Sequence, residues 1–179
     1  MFSDVSTLMT SLRDRTLDFV LSRAIVAEPE PDLNAEILFR DRIVVVVSPA
    51  HPLARRKKVA LKDLSDEWWA LGPVDTFLGQ LMLKAFRAHS LSMPRIVVTT
   101  LSIQLRLDLM ETGRFVTVYS GAMMSHPTRR GRFKALPVGL GDAAGPMAAI
   151  TLKGRQSLGA LNLVMNEMRA IAKSIAAAE

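Results

Sequence analysis

Short apolar segments alternate along this chain with longer segments whose apolar residues recur at helical spacing. Ile43–Val47 consists of five consecutive β-branched residues, which is typical of a strand buried on both faces in a mostly parallel sheet. In Thr76–His89, the apolar residues form one broad stripe after a capping residue, either Asp75 or Thr76. Such alternation predicts an α/β fold with largely parallel sheets.

The same reasoning predicts the remaining elements. Helices are expected at residues 4–14, at 102–112 with Gly113 ending the helix in a left-handed conformation, and from about Ser157 onward. The last helix is expected to bury Leu158, Leu161, Val164, Met165, Met168, Ile171 and Ile175. Strands are expected at residues 17–21, 36–39, 68–71, 95–99, 115–119, 133–138 and 147–152, with an extended loop at 28–32.

The order of these elements predicts two lobes. Residues 53–120 hold their own series of strand, helix, strand, helix and strand, which defines an inner lobe. Residues 1–52 and 121–179 flank this series and are expected to pair into an outer lobe. The crossovers are expected at about 48–53 and 120–125.

Composition excludes several classes of protein. The 179 residues include no cysteine, which rules out disulfides, thiolate metal sites and a cysteine nucleophile. The longest aliphatic run, Ile43–Val47, is far shorter than the roughly 20 residues of a membrane span, and the N-terminus lacks the pattern of a secretory signal. We therefore expect a cytoplasmic protein that does not enter a membrane.

The formal net charge of +6 suits an anionic partner without identifying one. The densest basic clusters, Arg55–Lys58 and Arg129–Lys134, fall in predicted connections, where solvated loops are the main expectation. Proteins that bind single strands interleave aromatic residues with such charges, whereas only 6% of this chain is aromatic. Nucleic-acid binding through these clusters is therefore not favoured.

Motifs for catalysis or cofactor binding are also lacking in the sequence. The glycine motif Gly139–Gly145 has the spacing of a phosphate-binding loop, but a predicted strand follows it instead of a helix. His51, His89 and His126 are far apart and form no metal or nucleophile motif. We therefore expect neither an enzyme nor a bound metal or cofactor.

Ligands of open α/β sheets bind beyond the carboxyl ends of the strands, where helix N-termini present unpaired N–H groups. Two turns of this chain fit that description, Gly72–Thr76 and Thr99–Ser102. The hydroxyls and helix N-terminus of the second turn suit a carboxylate, a phosphate or a sugar hydroxyl. A plain capped helix start explains that turn equally well.

Two stretches give the chain a family resemblance. Leu12–Val20, and Ile43–Val47 followed by Ser48-Pro49-Ala50-His51-Pro52-Leu53-Ala54, resemble the effector-binding domain of LysR-type transcriptional regulators. The stretch Ser48–Ala54 is the most specific part of this resemblance. The resemblance extends through Val98–Thr100 and Gly113 to the closing strand and helix, and covers essentially the whole chain.

The resemblance implies a fold similar to type 2 periplasmic binding proteins, with two Rossmann-like lobes, two crossovers and a small-molecule effector in the cleft. Departures occur at Arg15 and Phe115, where the family commonly has Gly, and at Ser120, where it commonly has Pro. Family members also carry an N-terminal helix-turn-helix and open the effector domain with a strand–helix–strand, both missing here. We therefore expect a truncated outer lobe, and contact with DNA only through the missing domain.

The resemblance also implies a set of effector-binding residues, which it places in the inner lobe, the outer lobe and the crossovers. These residues are Gly72, Pro73, Thr76, Thr99, Thr100 and Ser102 from the inner lobe, with Arg23, Pro49 and Ser120 from the outer lobe and the crossovers. Arg23 is a cation at a strand end, which suits an anionic effector, although a salt-bridged surface arginine is an equal alternative.

The leading hypothesis is therefore the ligand-sensing domain of a bacterial LysR-type regulator. A solute-binding protein of the periplasmic type and an α/β enzyme are the alternatives, because a fold alone never determines function. The missing secretory signal counts against the first alternative, and the missing nucleophile, metal and cofactor motifs count against the second. A homodimer is expected through the exposed outer-lobe edge at residues 17–21, or through an exchanged segment such as Val5–Leu12.

Overall fold

A computed structural model describes residues 5–23, 30–125, 131–140, 145–154 and 159–176 of the chain. The α-helices in these ranges are α1 (Val5–Arg13), α2 (Phe77–Ala88), α3 (Ile103–Glu111), α4 (Gly121–Ser125) and α5 (Gly159–Ala176). The strands are β1 (Val20–Ser22), β2 (Leu33–Asp41), β3 (Ile43–Val47), β4 (Trp68–Leu71), β5 (Ile96–Thr99), β6 (Phe115–Ser120), β7 (Lys134–Ala135) and β8 (Gly145–Leu152). Short 3-10 helices cover Pro52–Arg55 and Leu61–Leu64.

The chain forms two compact units, and their boundaries differ from the predicted ones. One unit comprises Met1–Asp41 and Ala144–Glu179, and the other comprises Arg42–Ala143. The expected crossovers at 48–53 and 120–125 are therefore displaced. The reason is that β3 is hydrogen-bonded to β6 and β7, so it belongs to the sheet of the central unit.

The sheet of the first unit has the strand order β1-β8-β2 and is antiparallel throughout, not largely parallel as expected. In its register, Ile150 of β8 lies between Val20 and Ala35. Helix α1 packs against β1 and β8, while α5 packs against β2. The small core of this unit consists of Met9, Leu12, Val20, Leu33 and Ile150.

The first strand begins later than predicted because α1 ends in a hydrogen-bonded turn. The N–H groups of Thr16 and Leu17 both donate to the carbonyl of Ser11, at 3.0 and 3.2 Å. Arg15, directly before Thr16, has a φ of 60°, the left-handed conformation that glycine adopts most readily at a helix end. Leu17 is thus held by the helix, and β1 starts only at Val20.

Helix α5 buries less of its apolar stripe than predicted. Met165 and Ala172 are buried, but Val164 is 42% exposed and Ile171 is 57% exposed. Leu161, Met168 and Ile175 are half-buried, and Leu158 lies outside the described residues. Among the described elements, β2 is the main packing partner of this helix, and the contact leaves part of its apolar face exposed.

The sheet of the central unit has the order β5-β4-β6-β3-β7. Strand β4 pairs in parallel with β5 and β6, whereas β3 runs antiparallel to both of its neighbours. The five-residue run of β3 is buried on both faces as predicted, but its predicted parallel pairing is wrong. β-Branched residues report burial, and burial on two faces does not determine the direction of the neighbouring strand.

The predicted strand at 133–138 contracts to the two residues of β7. The chain remains close to β3, because the N–H group of Leu136 donates to the carbonyl of Val45 at 2.8 Å. Pro137 has no N–H group to continue the ladder. Pro137 therefore explains why β7 is short.

Helices α2 and α3 agree with their predictions. Thr76 caps α2, Ser102 caps α3, and Gly113 follows α3 with φ of 76°. The buried residues of α2 are Gly79, Met82, Ala85 and Phe86. Met82, Ala85 and Phe86 join the large core to which the sheet contributes Trp69, Val116 and Val118.

The basic clusters lie at the surface where the structure describes them. Arg55–Lys58 is exposed throughout, and the exposed Arg132 is paired with Glu111. Residues 129 and 130 lie outside the described ranges. Among the described helices, none is both long and apolar enough to cross a bilayer.

Candidate functional site

The parallel strands of the central sheet bring the C-terminal ends of three strands to one edge. Strands β5, β4 and β6 are neighbours that run in the same direction, so Thr99, Leu71 and Ser120 end them at the same side of the sheet. The hydroxyl of Thr117 donates to the carbonyl of Ala70 at 2.6 Å and fastens β6 to β4 just before this edge. The carboxyl edge of parallel strands is where α/β sheets bind ligands.

The turn after β4 leads directly into α2. The N–H and the hydroxyl of Thr76 both donate to the carbonyl of Pro73, at 3.0 and 2.6 Å. The Thr76 hydroxyl oxygen also accepts from the N–H of Gly79 at 3.3 Å, which caps the helix. A Cβ atom on Gly72 would lie 3.1 Å from that same oxygen, so glycine keeps the turn compact.

The turn after β5 also leads into a helix capped by a side-chain hydroxyl, and it is hydrogen-bonded to the end of β4, where the first turn begins. The N–H of Thr100 donates to the carbonyl of Leu71 at 2.8 Å, which places the two turns side by side. The N–H of Ser102 donates to the hydroxyl of Thr100 at 3.1 Å, and the Ser102 hydroxyl accepts from Leu105 at 3.2 Å.

This cap leaves the first N–H groups of α3, those of Ile103 and Gln104, without a partner inside the helix. Thr99 and Ser102 are exposed and Thr100 is half-buried. The turn therefore presents hydroxyls and backbone donors to a molecule approaching from solvent. This arrangement can bind a polar or anionic group through hydrogen bonds.

Ser120 belongs to this edge, whereas Pro49 does not. The hydroxyl of Ser120 accepts from the N–H of Met123 at 3.3 Å, at the start of α4. Pro49 follows β3, which is antiparallel to β6 with Val46 opposite Thr117 and Ile43 opposite Ser120. The end of β3 therefore lies at the opposite edge of the sheet. The predicted grouping of Pro49 with the two turns does not occur.

That opposite edge also holds His51, which is a structural residue. Its Nδ1 accepts from the N–H of Leu53 at 3.2 Å and so caps the 3-10 helix Pro52–Arg55, while its Nε2 lies 3.5 Å from Glu67. Burial lowers the pKa of His51 below its usual 6.5, with the Glu67 charge acting in the opposite direction. His89 closes the end of α2, and His126 lies outside the described residues.

Arg23 lies in the other unit and has an acidic partner. Its guanidinium is hydrogen-bonded to the carboxylate of Asp41, whose side chain is 1% exposed. The alternative of a salt-bridged arginine is therefore correct for this residue. The sequence could not show this pairing, because 18 positions separate the two residues.

A second arginine, which the sequence analysis missed, lies on α3 beside the turn after β5. Arg106 is 6% exposed, and its guanidinium carbon lies 4.9 Å from the centre of the Tyr119 ring. Only the folded chain shows that Arg106 is buried on the same face of α3 as Met110, which follows it by four residues. A charged residue on the inner face of a helix is uncommon in a structural core.

The described residues contain no cluster of acidic and histidine side chains that could hold a metal ion. The glycine motif at 139–145 leads into β8, as predicted, and residues 141–144 lie outside the described ranges. The chemistry that the site offers is therefore hydrogen bonding and positive charge.

Two α/β units that the chain connects by two crossovers define the fold of type 2 periplasmic binding proteins. The chain belongs to the LysR substrate binding domain family, which matches residues 2–173. It is similar to the HTH-type transcriptional regulator GbpR of Rhizobium radiobacter, with 36% identity over 93 residues, which is 51% of this chain and 30% of GbpR. The chain thus spans less than a third of that relative in the match.

Solved structures show the same fold at low identity. The regulatory domain of Synechocystis PCC6803 CcmR in complex with 2-PG has a TM-score of 0.72 at 17% identity, covering 96% of this chain and 81% of that domain. The BenM effector binding domain with benzoate has a TM-score of 0.67 at 22% identity, covering 98% of this chain and 76% of that one.

Proposed function

We propose that this chain is the ligand-sensing regulatory domain of a LysR-type transcriptional regulator. In this proposal, a small polar effector binds at the carboxyl edge of β4 and β5. The observation that carries it is the hydrogen bond from Thr100 to the carbonyl of Leu71, which holds both helix-capping turns together. Gly72, Pro73 and Thr76 form one side of the site, and Thr99, Thr100 and Ser102 form the other, with Ser120 at the same edge.

Membership of the family supports a regulatory role. GbpR is named as a transcriptional regulator, and the two similar domains of known structure hold 2-PG and benzoate. Effector binding would control DNA recognition by the helix-turn-helix domain of the complete regulator, in the cytoplasm and without catalysis. The family consists of regulators, and the site offers hydrogen-bond donors with no metal cluster among the described residues.

Calorimetry with a panel of small organic acids and sugars tests this proposal. We expect at least one compound to bind, and Thr100→Val to weaken its binding about tenfold, which corresponds to the loss of one hydrogen bond worth about 1.4 kcal/mol. Thr112→Val is the matched control, because Thr112 lies at the far end of α3, where its hydroxyl donates to Leu109. Equal binding by both variants would place the effector elsewhere.

We further propose that the domain forms a homodimer. Strand β1 lies at an edge of its sheet in the described part of the chain, and its Leu21 is 49% exposed. An apolar edge strand invites pairing with a second copy. Light scattering should give twice the mass of the chain at tens of micromolar, and Leu21→Lys should reduce that value. A monomer in the unmodified protein would refute this assignment.

A further inference from the structure

Arg106 is a buried cation whose hydrogen-bonding capacity is incompletely used. Its Nε and Nη1 atoms are buried, and neither has a hydrogen-bond partner in the part of the chain that the structure describes. Arginine keeps its charge at every physiological pH, so burial cannot be relieved by loss of a proton. Buried charges in proteins are ordinarily paired with an opposite charge or with several acceptors.

The neighbourhood of Arg106 places its guanidinium beside the candidate site. Side chains of a helix incline toward its N-terminus, so Arg106 extends back toward the turn at Ser102. The Tyr119 ring lies against that first turn, because its hydroxyl donates to the carbonyl of Ile103 at 3.0 Å. The guanidinium carbon is 4.9 Å from the centre of this ring. Tyr119 itself directly precedes Ser120, at the end of β6.

The contact with Tyr119 steadies the guanidinium without satisfying its donors. An aromatic face attracts a cation, but the N–H groups of a guanidinium lie in its own plane and need acceptors there. The acidic residues on α3 have other partners: Asp108 accepts from Gln104 at 2.7 Å, and Glu111 is paired with Arg132. The described part of α3 therefore supplies the cation without a counter-ion.

We infer that Arg106 anchors the effector, and that the effector is a small organic anion carrying a carboxylate or phosphate group. This inference rests on the proposed function. The anion accepts hydrogen bonds from the fork of Arg106, while the N-terminus of α3 adds the partial positive charge of its unpaired N–H groups. Arg106 takes the role that the sequence analysis gave to Arg23, which is paired with Asp41.

The test uses the 179-residue chain with inorganic phosphate and benzoate as anionic probes, and with benzamide and glucose as neutral probes. We expect an anionic probe to bind saturably, Arg106→Met to weaken it at least about tenfold, and Arg106→Lys to weaken it less, since lysine keeps the charge but not the fork. Arg114→Gln is the matched control, because Arg114 is exposed at the other end of β6 and should leave binding unchanged.

A second measurement separates binding from folding. The side-chain Nε–H resonance of Arg106, assigned by its absence in Arg106→Lys, should shift on saturation with the anionic probe. No shift at saturation, or unchanged binding by a folded Arg106→Met chain, would overturn the inference. Binding of benzamide or glucose without binding of either anion would overturn it and leave the proposed function intact. If none of the four probes binds, both proposals fail.

Discussion

Replacing Gly79 by alanine should distort the candidate site from inside the helix that follows it. Gly79 is a buried residue in the first turn of α2. An added Cβ atom would lie 2.4 Å from the carbonyl oxygen of Pro73, and 2.7 and 2.9 Å from two backbone atoms of Val74. Ordinary van der Waals contact for such an atom starts at 3.4 Å. The turn and the helix must therefore separate by about 1 Å.

The change in the free energy of unfolding follows from two destabilising contributions and one stabilising contribution. Forcing an extra carbon into a packed site costs about 1–3 kcal/mol, and the separation weakens the two hydrogen bonds from Thr76 to Pro73, each worth about 1 kcal/mol. Alanine in place of glycine within a helix returns about 1 kcal/mol. The free energy of unfolding should therefore fall by about 3 kcal/mol, which lowers the melting temperature by roughly 10 °C in a domain of this size.

Thermal unfolding followed by circular dichroism measures this loss. Gly159→Ala is the control, because Gly159 begins α5 and an added Cβ atom there meets nothing within 4 Å. The same chemical change should leave the melting temperature of that variant equal or slightly higher, since alanine favours the helix. If Gly79→Ala unfolds at the same temperature as the unmodified chain, the close packing of α2 on the Pro73–Val74 turn is wrong.

Two further predictions concern a strained backbone position and a buried histidine. Arg15→Gly should raise the free energy of unfolding by about 1 kcal/mol in urea denaturation, because Arg15 has a φ of 60°, and a loss of stability would refute the strain. Because burial lowers the pKa of His51, the unfolded chain binds its proton first, so stability should decline as pH falls below 6.5. His51→Asn keeps a capping oxygen without a titrating ring and should flatten that decline; an unchanged slope between pH 7 and 5 would assign it to other groups.

Much of the candidate site was readable from local patterns. Thr76 and Ser102 precede apolar helical stripes, and Gly113 follows one, so helix starts and ends were predictable from residues a few positions apart. The turn after β4 and the turn after β5 could therefore be singled out together. Their direct contact, through Thr100 and Leu71, needed the parallel pairing of the two strands.

The wrong predictions have a common physical cause, which is pairing between distant segments of the chain. The composition of β3 reports that both of its faces are buried, but the antiparallel direction was decided by β6 and β7, about 70 to 90 residues later. That direction moved Pro49 to the edge opposite the two turns. It also moved the first boundary between the two units to Asp41.

The two arginines show that charge pairing also depends on contacts between distant residues. Sequence alone identified Arg23 as a cation near a strand end, and only the folded chain gave it Asp41 as a partner. Arg106 looked like one more charge on a helix, and only the packing of α3 against Tyr119 buried it. The sequence by itself determined the helices with their caps and the approximate positions of the strands, because these depend on neighbouring residues. The tertiary structure decided strand direction, burial and charge pairing, because these depend on contacts between residues far apart in the chain.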